Sequence, residues 1–333
     1  MYYFCTYFDI NYLSRGLALY RSLKKNCPEF HLWILCMDHK SHDILTQMAL
    51  PNLKLIALED FEKVDEELLA IKSTRSVVEY YFTCTPSLPL YVLNNFSDVD
   101  LITYLDADLY FFSDIAPIYE EISGYSIAII EHRFPPHLLD RAKSGIYNVG
   151  WISFKRDKNG FNALNWWRER CPEWCYDRVE DKRCADQKYL DDWLSRFDNV
   201  IVLQHKGVNV APWNIANYTI HCKGESVWID DQPLIFYHFH GFKQLTGRMY
   251  DTGLRAYKEI LNDILRSAVY EPYLRMLLSI HEDLTPFTSK SSISLGSIRI
   301  QSFPLRIYKK VKYLLLIIHG FIKPGNYIVG PPK

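Results

Sequence analysis

The sequence has 333 residues, which is enough for one large domain or two smaller ones. Hydrophobic residues make up 48% of the chain and charged residues 23%, as in globular proteins with a substantial core. The formal net charge of -1 argues against a broad nucleic-acid-binding surface. No apolar run reaches the roughly 18 residues that a membrane-spanning helix needs.

The N-terminal stretch contains Asp9 and Arg15 in place of a continuous apolar run, so it does not have the pattern of a secretory signal. We therefore expect a cytoplasmic protein whose 8 cysteines are reduced. Three of the cysteines are closely spaced between residues 171 and 184, and a zinc site there would need a fourth ligand from elsewhere. Free thiols are the simpler expectation.

Strand and helix patterns alternate from the first residues of the chain. Apolar runs predict strands at Tyr2–Tyr7, Leu32–Met37 and Leu53–Leu58, and helical spacing predicts helices at Asn11–Lys25 and His39–Leu50. This alternation is typical of an α/β layered domain with a mainly parallel sheet.

A mostly helical stretch, Asp65–Leu93, comes next, with a break predicted near Pro86 and Pro89. It carries Lys72 and Arg75. These two cations are either solvated surface charges or groups that reach a phosphate, and the residues alone leave both alternatives open.

The chemistry is concentrated after the next strand, Leu101–Leu105, which is followed by Asp106 and Asp108. Buried carboxylates are costly unless they are paired or bind a metal, and ligands of open α/β sheets bind outside the carboxyl ends of the strands. Carboxylate oxygens suit Mg²⁺ or Mn²⁺, which can bridge the phosphates of a nucleotide. The pattern therefore predicts a divalent-cation site, and the alternative is an aspartate pair that caps a turn.

The second half of the chain continues the alternation. The predicted helices are Ile115–Ile122, Phe161–Cys171 and Cys184–Phe197, and the predicted strands are Ser126–Glu131, Tyr147–Phe154, Val200–Leu203, Ser226–Ile229 and Leu234–His238. Gly150 permits a close backbone approach or a bulge. Asp186 lies in the first turn of a predicted helix, where a carboxylate also favours the helix dipole.

Two regions after these elements carry further polar groups. A loop at residues 209–214 has one aromatic ring and two amides, and the last strand runs into His238, His240, Gly241 and Lys243. A lone histidine is more often structural. Two histidines at i and i+2, beside a glycine and a lysine, favour a metal and phosphate site.

Apolar residues on one helical stripe predict a helix over Tyr250–Ile280, and the Ser- and Thr-rich residues 284–304 indicate a linker. Residues 305–333 form a basic amphipathic segment. Its stretch 305–320 either contacts an anionic membrane surface or packs on the domain.

Five motifs follow one another along the chain: Phe4-Cys5-Thr6-Tyr7, Tyr104-Leu105-Asp106-Ala107-Asp108, Tyr147-Asn148-Val149-Gly150, Ala185-Asp186-Gln187 and His238-Phe239-His240-Gly241-Phe242-Lys243. Together they resemble the GT-A-fold glycosyltransferases, most closely the retaining family 8 type of glycogenin and the lipopolysaccharide galactosyltransferases. The resemblance implies a Rossmann-like, mostly parallel sheet flanked by helices. It also implies a division into a nucleotide-sugar transferase domain, a helical extension, a linker and the basic segment, at residues 1–245, 246–283, 284–304 and 305–333.

The resemblance also implies roles for individual residues. Asp106, Asp108 and one of His238 and His240 would hold Mn²⁺ or Mg²⁺ on the diphosphate of a nucleotide sugar. Thr6 and Tyr7 would lie at the base of the donor nucleotide, Lys243 would contact phosphate, and Arg75 would reach the donor phosphate or the sugar. The residues implied to face the transferred sugar are Asn148, Asp186 and Gln187.

Two features differ from the family pattern. Lys243 follows His238 by five residues, whereas the family usually has its lysine six residues after the histidine and ahead of Pro-Trp. The family's Asp or Asn directly after Thr6 is also missing. The choice between the two histidines, the role of Lys243 and the nucleotide base therefore stay open.

The expected function is metal-dependent transfer of a hexose from a nucleotide-diphosphate sugar, with UDP favoured, to an acceptor hydroxyl with retention. The acceptor would be a glycan, a lipid-linked molecule or a protein in surface glycan or lipopolysaccharide synthesis, at the inner membrane face if the basic segment binds there. One alternative is a sugar nucleotidyltransferase, which would be expected to have a glycine-rich basic loop after the first strand. The other is a degenerate fold kept as a binding module, against which the retained Asp106 and Asp108 argue.

Overall fold

The computed structural model describes residues 1–27, 29–246, 248–287 and 326–330. Strands β1 to β8 are Tyr2–Phe8, Phe30–Cys36, Leu53–Ala57, Leu101–Leu105, Leu109–Phe111, Ile127–Glu131, Tyr147–Lys155 and Val200–Val202. Helices α1 to α8 are Leu13–Asn26, His39–Met48, Leu58–Lys63, Glu66–Ile71, Val77–Asn95, Ala116–Ile122, Lys158–Glu173 and Trp193–Arg196.

Seven strands form the central sheet, in the order β3-β2-β1-β4-β7-β6-β8. The first four of these strands are parallel, whereas β7 is antiparallel to both β4 and β6. Successive side chains point to opposite faces of the sheet, so Phe4 and Leu32 enter one core and Cys5 and Trp33 enter the other. The predicted α/β class with a mostly parallel sheet is confirmed.

Helix α1 packs very closely on β1. A Cβ atom at Gly16 would lie 2.2 Å from a ring carbon of Phe8, so only glycine permits this approach. Arg15, the residue before Gly16, is 7% exposed. The first turns of α1 are therefore fixed on the sheet.

The break predicted in the helix before the central strand is misplaced. Helix α5 continues through Pro86 and Pro89, and both prolines are buried. The interruption lies earlier, where the 3-10 turn Lys72–Thr74 ends and Ser76 and Glu79 form a capping box that starts α5. Tertiary packing on both sides of α5 offsets the cost of about 3 kcal/mol that an interior proline brings.

The C-terminal part adds small sheets and a final helix to this body. Strands β9 to β15 are Ile220–Lys223, Ser226–Ile229, Gln232–Pro233, Phe236–His238, Lys243–Thr246, Met249–Asp251 and Tyr327–Val329, and α9 is Glu271–Leu284. Helix α9 belongs to the same core as α1, and Arg21 on α1 forms an ion pair with Asp283 at 2.6 Å. Within the described part of the chain, no helix is long and apolar enough to cross a bilayer.

The helix predicted over Tyr250–Ile280 is wrong in its first half. That half contains β14, and a π-helical turn leads into α9 only at Leu265–Tyr270. Ile260 and Ile264, both assigned to the apolar stripe, are 52% and 40% exposed. Leu254, Leu261 and Leu265 are all buried, but they do not belong to one continuous helix.

The C-terminal boundaries predicted from sequence fall mostly on residues whose structure is not described. The linker at 284–304 and the basic segment at 305–333 lie outside the described residues, except for residues 284–287 and 326–330. Residues 327–329 form β15, which pairs antiparallel with β14. The division of the chain into domains stays a prediction.

Candidate metal centre and ligand cavity

Two short strands bring the acidic turn and the histidines together. Strand β5 begins directly after Asp108 and pairs antiparallel with β12, which places Leu109 opposite His238. The Phe239 N–H donates a hydrogen bond to the Asp108 carbonyl at 2.9 Å. As a result, His238 Nε2 lies 3.0 Å from Oδ1 of Asp108 and 3.6 Å from Oδ2 of Asp106.

Asp108, His238 and His240 each direct one potential ligand atom into a shared space. These atoms all lie within 4.8 Å of one another. Ligands on opposite sides of a divalent cation, at bond lengths of about 2.0–2.6 Å, have comparable separations. Both histidines are therefore in the cluster, and it is the only group of this kind among the residues that the structure describes.

Electrostatics favours a positive charge in this cluster. Burial raises the pKa of Asp106 to about 6, although His238 opposes that effect. Burial acts in the same direction on Asp108, but the charge and hydrogen bond of His238 outweigh it and hold the pKa of Asp108 below its usual range. Burial lowers the pKa of His238, and the two aspartates more than reverse this. A proton or a metal ion between the imidazole and the carboxylates is thus stabilised.

Gly150 makes room for His238. A Cβ atom at Gly150 would lie 2.6 Å from Asn148 Oδ1 and 2.9 Å from His238 Nδ1. The pairing of β6 with β7 also shifts register between Ala128 and Ile130. The close approach predicted for Gly150 is confirmed, and a register shift in the same strand pair accompanies it.

A cavity of about 420 Å³ opens beside the cluster. The lining residues that the sequence predicts as site residues are Tyr7, Asp106, Asn148, Asp186, Gln187, His238 and His240. Sequence reasoning did not assign a role to several others, which include Phe82, His132, Phe134, Arg141, Trp213 and Tyr257. The cavity therefore joins the cluster of potential metal ligands to a wall of amide, carboxylate and aromatic groups.

Asp186 and Gln187 reach this cavity from a turn. The predicted helix Cys184–Phe197 is a 3-10 helix, Gln187–Asp192, followed by α8, and Asp186 occupies the N-cap position. Ala185 has a φ of 46°, which is uncommon for a residue with a side chain. The chain reverses at this point and presents Asp186 to the cavity.

Asp186 is nearly inaccessible to solvent, with 5% of its surface exposed. Burial raises its pKa to about 7, the charge of Asp106 adds to this, and a hydrogen bond with Thr85 opposes it. The neighbouring Gln187 is held in place because its Nε2 donates to the Ser144 carbonyl at 3.0 Å. The two side chains therefore offer the cavity a readily protonated carboxylate and an oriented amide.

Asn148 is held at both ends of its amide. Its Oδ1 accepts the Gly150 N–H at 3.1 Å, and its Nδ2 lies 3.4 Å from His132 Nε2. His132 Nδ1 lies 3.2 Å from the Ile146 carbonyl, so the network assigns the proton to Nδ1 and makes Nε2 the acceptor. Burial lowers the pKa of His132 to about 3, which keeps its ring neutral.

In the loop at residues 209–214, an amide side chain stabilises the local backbone and the aromatic side chain lines the cavity. Asn214 Nδ2 donates to the carbonyls of His132 at 3.0 Å and Asn209 at 2.8 Å. Trp213 lines the cavity, and its ring meets the His238 ring edge-on with 4.9 Å between the centroids. An aromatic residue in a polar loop was the only sequence signal for Trp213.

Thr6 and Arg75 do not line this cavity. Thr6 is fully buried within β1. Arg75 follows the 3-10 turn before α5, and its guanidinium donates to the Pro172 carbonyl at 2.8 Å and to the Tyr176 hydroxyl at 2.6 Å. In this arrangement Arg75 anchors the segment that follows α7.

Lys243 does not line the cavity that holds Asp186. It lines a second cavity of about 380 Å³, to which His240 also contributes. Its Nζ is 3.9 Å from Oδ2 of Asp251 on the paired strand β14. The structure thus separates Lys243 from the wall that carries Asp186.

The cysteines form no metal cluster among the described residues. All of them are free thiols, buried except for Cys222. Burial raises the pKa of Cys171, whose thiol also forms a hydrogen bond with Cys175. The buried thiols act as small apolar side chains in the core.

Comparison with known proteins finds relatives in sequence and solved structures that are similar in fold. No protein-family model matches the chain. It is 32% identical over 276 residues to the uncharacterized protein YfnD of Bacillus subtilis (strain 168), a match that covers 82% of this chain and 88% of YfnD. It is 36% identical over 248 residues to the uncharacterized protein YfnF of the same organism, which covers 72% of this chain and 81% of YfnF.

One solved structure of similar fold is the crystal structure of the galactosyltransferase LgtC in complex with donor and acceptor sugar analogs. The TM-score is 0.51 at 14% identity, and the match covers 86% of this chain and 100% of that chain. The GT-A fold predicted from the five sequence motifs is confirmed.

Proposed function

The chain belongs to the same family as YfnD and YfnF, and we propose that it is a metal-dependent glycosyltransferase. It would transfer a hexose from a nucleotide-diphosphate sugar, with UDP as the favoured nucleotide, to an acceptor hydroxyl with retention. One observation carries this proposal: in a GT-A fold, a cluster of potential metal ligands adjoins a cavity that also holds Asn148, Asp186 and Gln187.

The donor set of this cluster fits Mn²⁺ or Mg²⁺. Carboxylate oxygens suit both ions, and imidazole shifts the preference toward Mn²⁺. His238 Nδ1 is buried and has no hydrogen-bond partner among the described residues, while Nε2 faces Asp108. We propose that Asp108 and His238 would hold the ion with support from Asp106 and His240. When bound, the ion would stabilise the negative charge of the departing diphosphate.

The chain's own side chains would act on the sugar. Cleavage of the sugar–phosphate bond leaves positive charge on the ring in an oxocarbenium-like transition state, and ionised Asp186 would stabilise that charge. The Gln187 amide is the alternative group for the reacting face. Asn148 would orient sugar hydroxyls, because Gly150 and His132 fix its amide.

A ligand panel tests the donor half of this proposal. The melting temperature is measured with UDP, GDP, ADP and CMP, each with and without Mn²⁺, because a ligand that binds only the native state raises it. We expect a Mn²⁺-dependent rise for one nucleoside diphosphate and release of that nucleotide from its hexose conjugate. Absence of both effects for every nucleotide would contradict the proposal.

The panel, together with an assay that supplies a nucleoside triphosphate and a sugar phosphate, separates the alternatives. Nucleotide binding without release from any nucleotide sugar would favour a binding module. Synthesis of a nucleotide sugar from a nucleoside triphosphate and a sugar phosphate would favour a nucleotidyltransferase. The acceptor class, a place in surface glycan or lipopolysaccharide synthesis, and membrane contact through residues 305–320 stay predictions from the sequence.

A further inference from the structure

Arg15 is a buried arginine with an unused hydrogen-bond donor. The residue is 7% exposed, and its Nη2 donates to the Phe242 carbonyl at 2.5 Å. Its Nη1 is buried without a hydrogen-bond partner, and none of the ion pairs among the described residues includes Arg15. A buried cation without an anionic partner is costly, so the free donor calls for a ligand.

Arg15 lines neither of the two cavities described above, but its contact with the Phe242 carbonyl ties it to the segment that carries His240. Phe242, which accepts its hydrogen bond, comes two residues after His240. After burial and the two histidines, Arg15 also affects the pKa of Asp108 and lowers it. Burial and His238 lower the pKa of His240, Asp108 opposes them, and Arg141 and then Arg15 add smaller lowering effects. The guanidinium carbon lies 4.3 Å from the centre of the Tyr12 ring.

Arg15 is also held rigidly. Gly16, the next residue, fits against the Phe8 ring with no room for a Cβ atom, so the backbone of this turn is fixed on β1. The Tyr12 ring and the Phe242 carbonyl then orient the guanidinium plane. A positive group that is already fixed in place costs little reorganisation when a charged ligand arrives.

We propose that Arg15 binds the diphosphate of the nucleotide donor through Nη1, an inference that rests on the proposed function. The planar guanidinium matches the geometry of phosphate oxygens and remains charged at all relevant pH values. Lys243 differs from Arg15, because it already has Asp251 beside it on a neighbouring strand. Arg15 therefore supplies a fixed positive charge in addition to that of the metal ion.

Calorimetric titration with UDP and with UMP, both in the presence of Mn²⁺, tests this role. If the panel selects another base, its diphosphate and monophosphate replace them. In Arg15→Gln, we expect UDP affinity to fall on the order of 10- to 100-fold, as for the loss of a charge-assisted hydrogen bond. UMP affinity should change much less. Arg21→Gln is the matched control: Arg21 is a half-buried arginine later in the same helix that pairs with Asp283, and the variant should retain the affinity of the wild type for both nucleotides.

The outcomes separate this inference from the proposed function. Unchanged UDP affinity, or equal losses for UDP and UMP, in a folded Arg15→Gln variant would overturn the role of Arg15. A wild-type protein that binds no nucleoside diphosphate would instead overturn the proposed function.

A measurement on the wild type avoids dependence on the fold of the variant. The side-chain N–H resonance of Arg15, assigned with Arg15→Lys, should shift when UDP and Mg²⁺ are added and should not shift with uridine. A resonance that does not move at UDP saturation would also overturn the role of Arg15.

Discussion

Asp108 and Asp186 are both buried at this site, yet their pKa values move in opposite directions. Asp108 is 9% exposed and Asp186 is 5% exposed, so burial raises the pKa of each carboxyl. In Asp108 the charge and hydrogen bond of His238 reverse that effect, whereas in Asp186 the charge of Asp106 adds to it. The difference lies in the neighbouring charge and not in the depth of burial.

This difference in pKa suits the two carboxyl groups to different chemical roles. A carboxylate that stays ionised beside an imidazole suits permanent coordination of a cation. A carboxyl group with a pKa near neutrality has an ionised form that is only weakly stabilised at rest. The ionised form is stabilised most when positive charge develops on a neighbouring sugar ring. The contrast can be tested one residue at a time.

The largest expected effect follows from Asp108→Asn. The amide keeps the size of the side chain but removes its anionic ligand, so turnover should fall by on the order of 10³-fold or more. The Mn²⁺ dependence of nucleotide binding should also disappear, as measured by calorimetry alongside nucleotide release. Asp98→Asn, at an exposed aspartate before β4, is the matched control. A fully active Asp108→Asn variant would eliminate the metal assignment.

The next effect concerns stability and Asp186→Asn. The folded carboxyl has a pKa of about 7 against a reference value of 3.8, so the folded state binds the proton more tightly. The contribution of Asp186 to the free energy of unfolding therefore falls as the pH rises from about 4 through 7. Asparagine cannot ionise, so the Asp186→Asn variant keeps its stability as the pH rises. Its free energy of unfolding should exceed that of the wild type by about 2–4 kcal/mol at pH 8.

Urea denaturation at several pH values measures this difference. The advantage of the asparagine variant should shrink steadily as the pH is lowered toward 4. If it is independent of pH between 4 and 8, Asp186 does not have the raised pKa on which the contrast with Asp108 depends.

The smallest effect is expected from Thr85→Val. Thr85 forms hydrogen bonds with Asp186 and, at 3.1 Å, with the Tyr7 hydroxyl. Loss of its hydroxyl should destabilise ionised Asp186 by about 1 kcal/mol. The pH at which half of the pH-dependent stability is lost should therefore rise. In the double variant Thr85→Val with Asp186→Asn, the stability should not show this pH-dependent effect. If the effect persists in the double variant, it arises from a group other than Asp186.

The parts of this site that follow from sequence are those with local causes. Asp106 and Asp108 directly follow a buried strand, and His238 ends another, so strand periodicity alone puts them at sheet ends. The seven-stranded sheet follows from the same alternation of strand and helix. Close packing at Gly150 was also predictable, because glycine inside a strand commonly marks a close approach.

The missed residues depend on contacts between distant segments. Arg15 has the pattern of a surface charge on a leucine-rich helix, and only the packing at Gly16 and the return of Phe242 reveal its burial. His132 and Trp213 come from separate loops that meet only in the folded chain. The sequence likewise placed Asp186 on a helix, because it did not show the left-handed turn at Ala185.

Strand β15 changes how the segment between residues 287 and 326 can be treated in experiments. The described chain stops at Phe287 and resumes at Asn326, and Ile328 is buried opposite Tyr250 on β14. Residues 288–325 are therefore joined covalently to described residues on both sides, and a partner bound by this segment would be linked to the folded body. Truncation of the chain at residue 304 would remove a strand together with that segment. An internal deletion that keeps residues 326–330 would separate recruitment from folding.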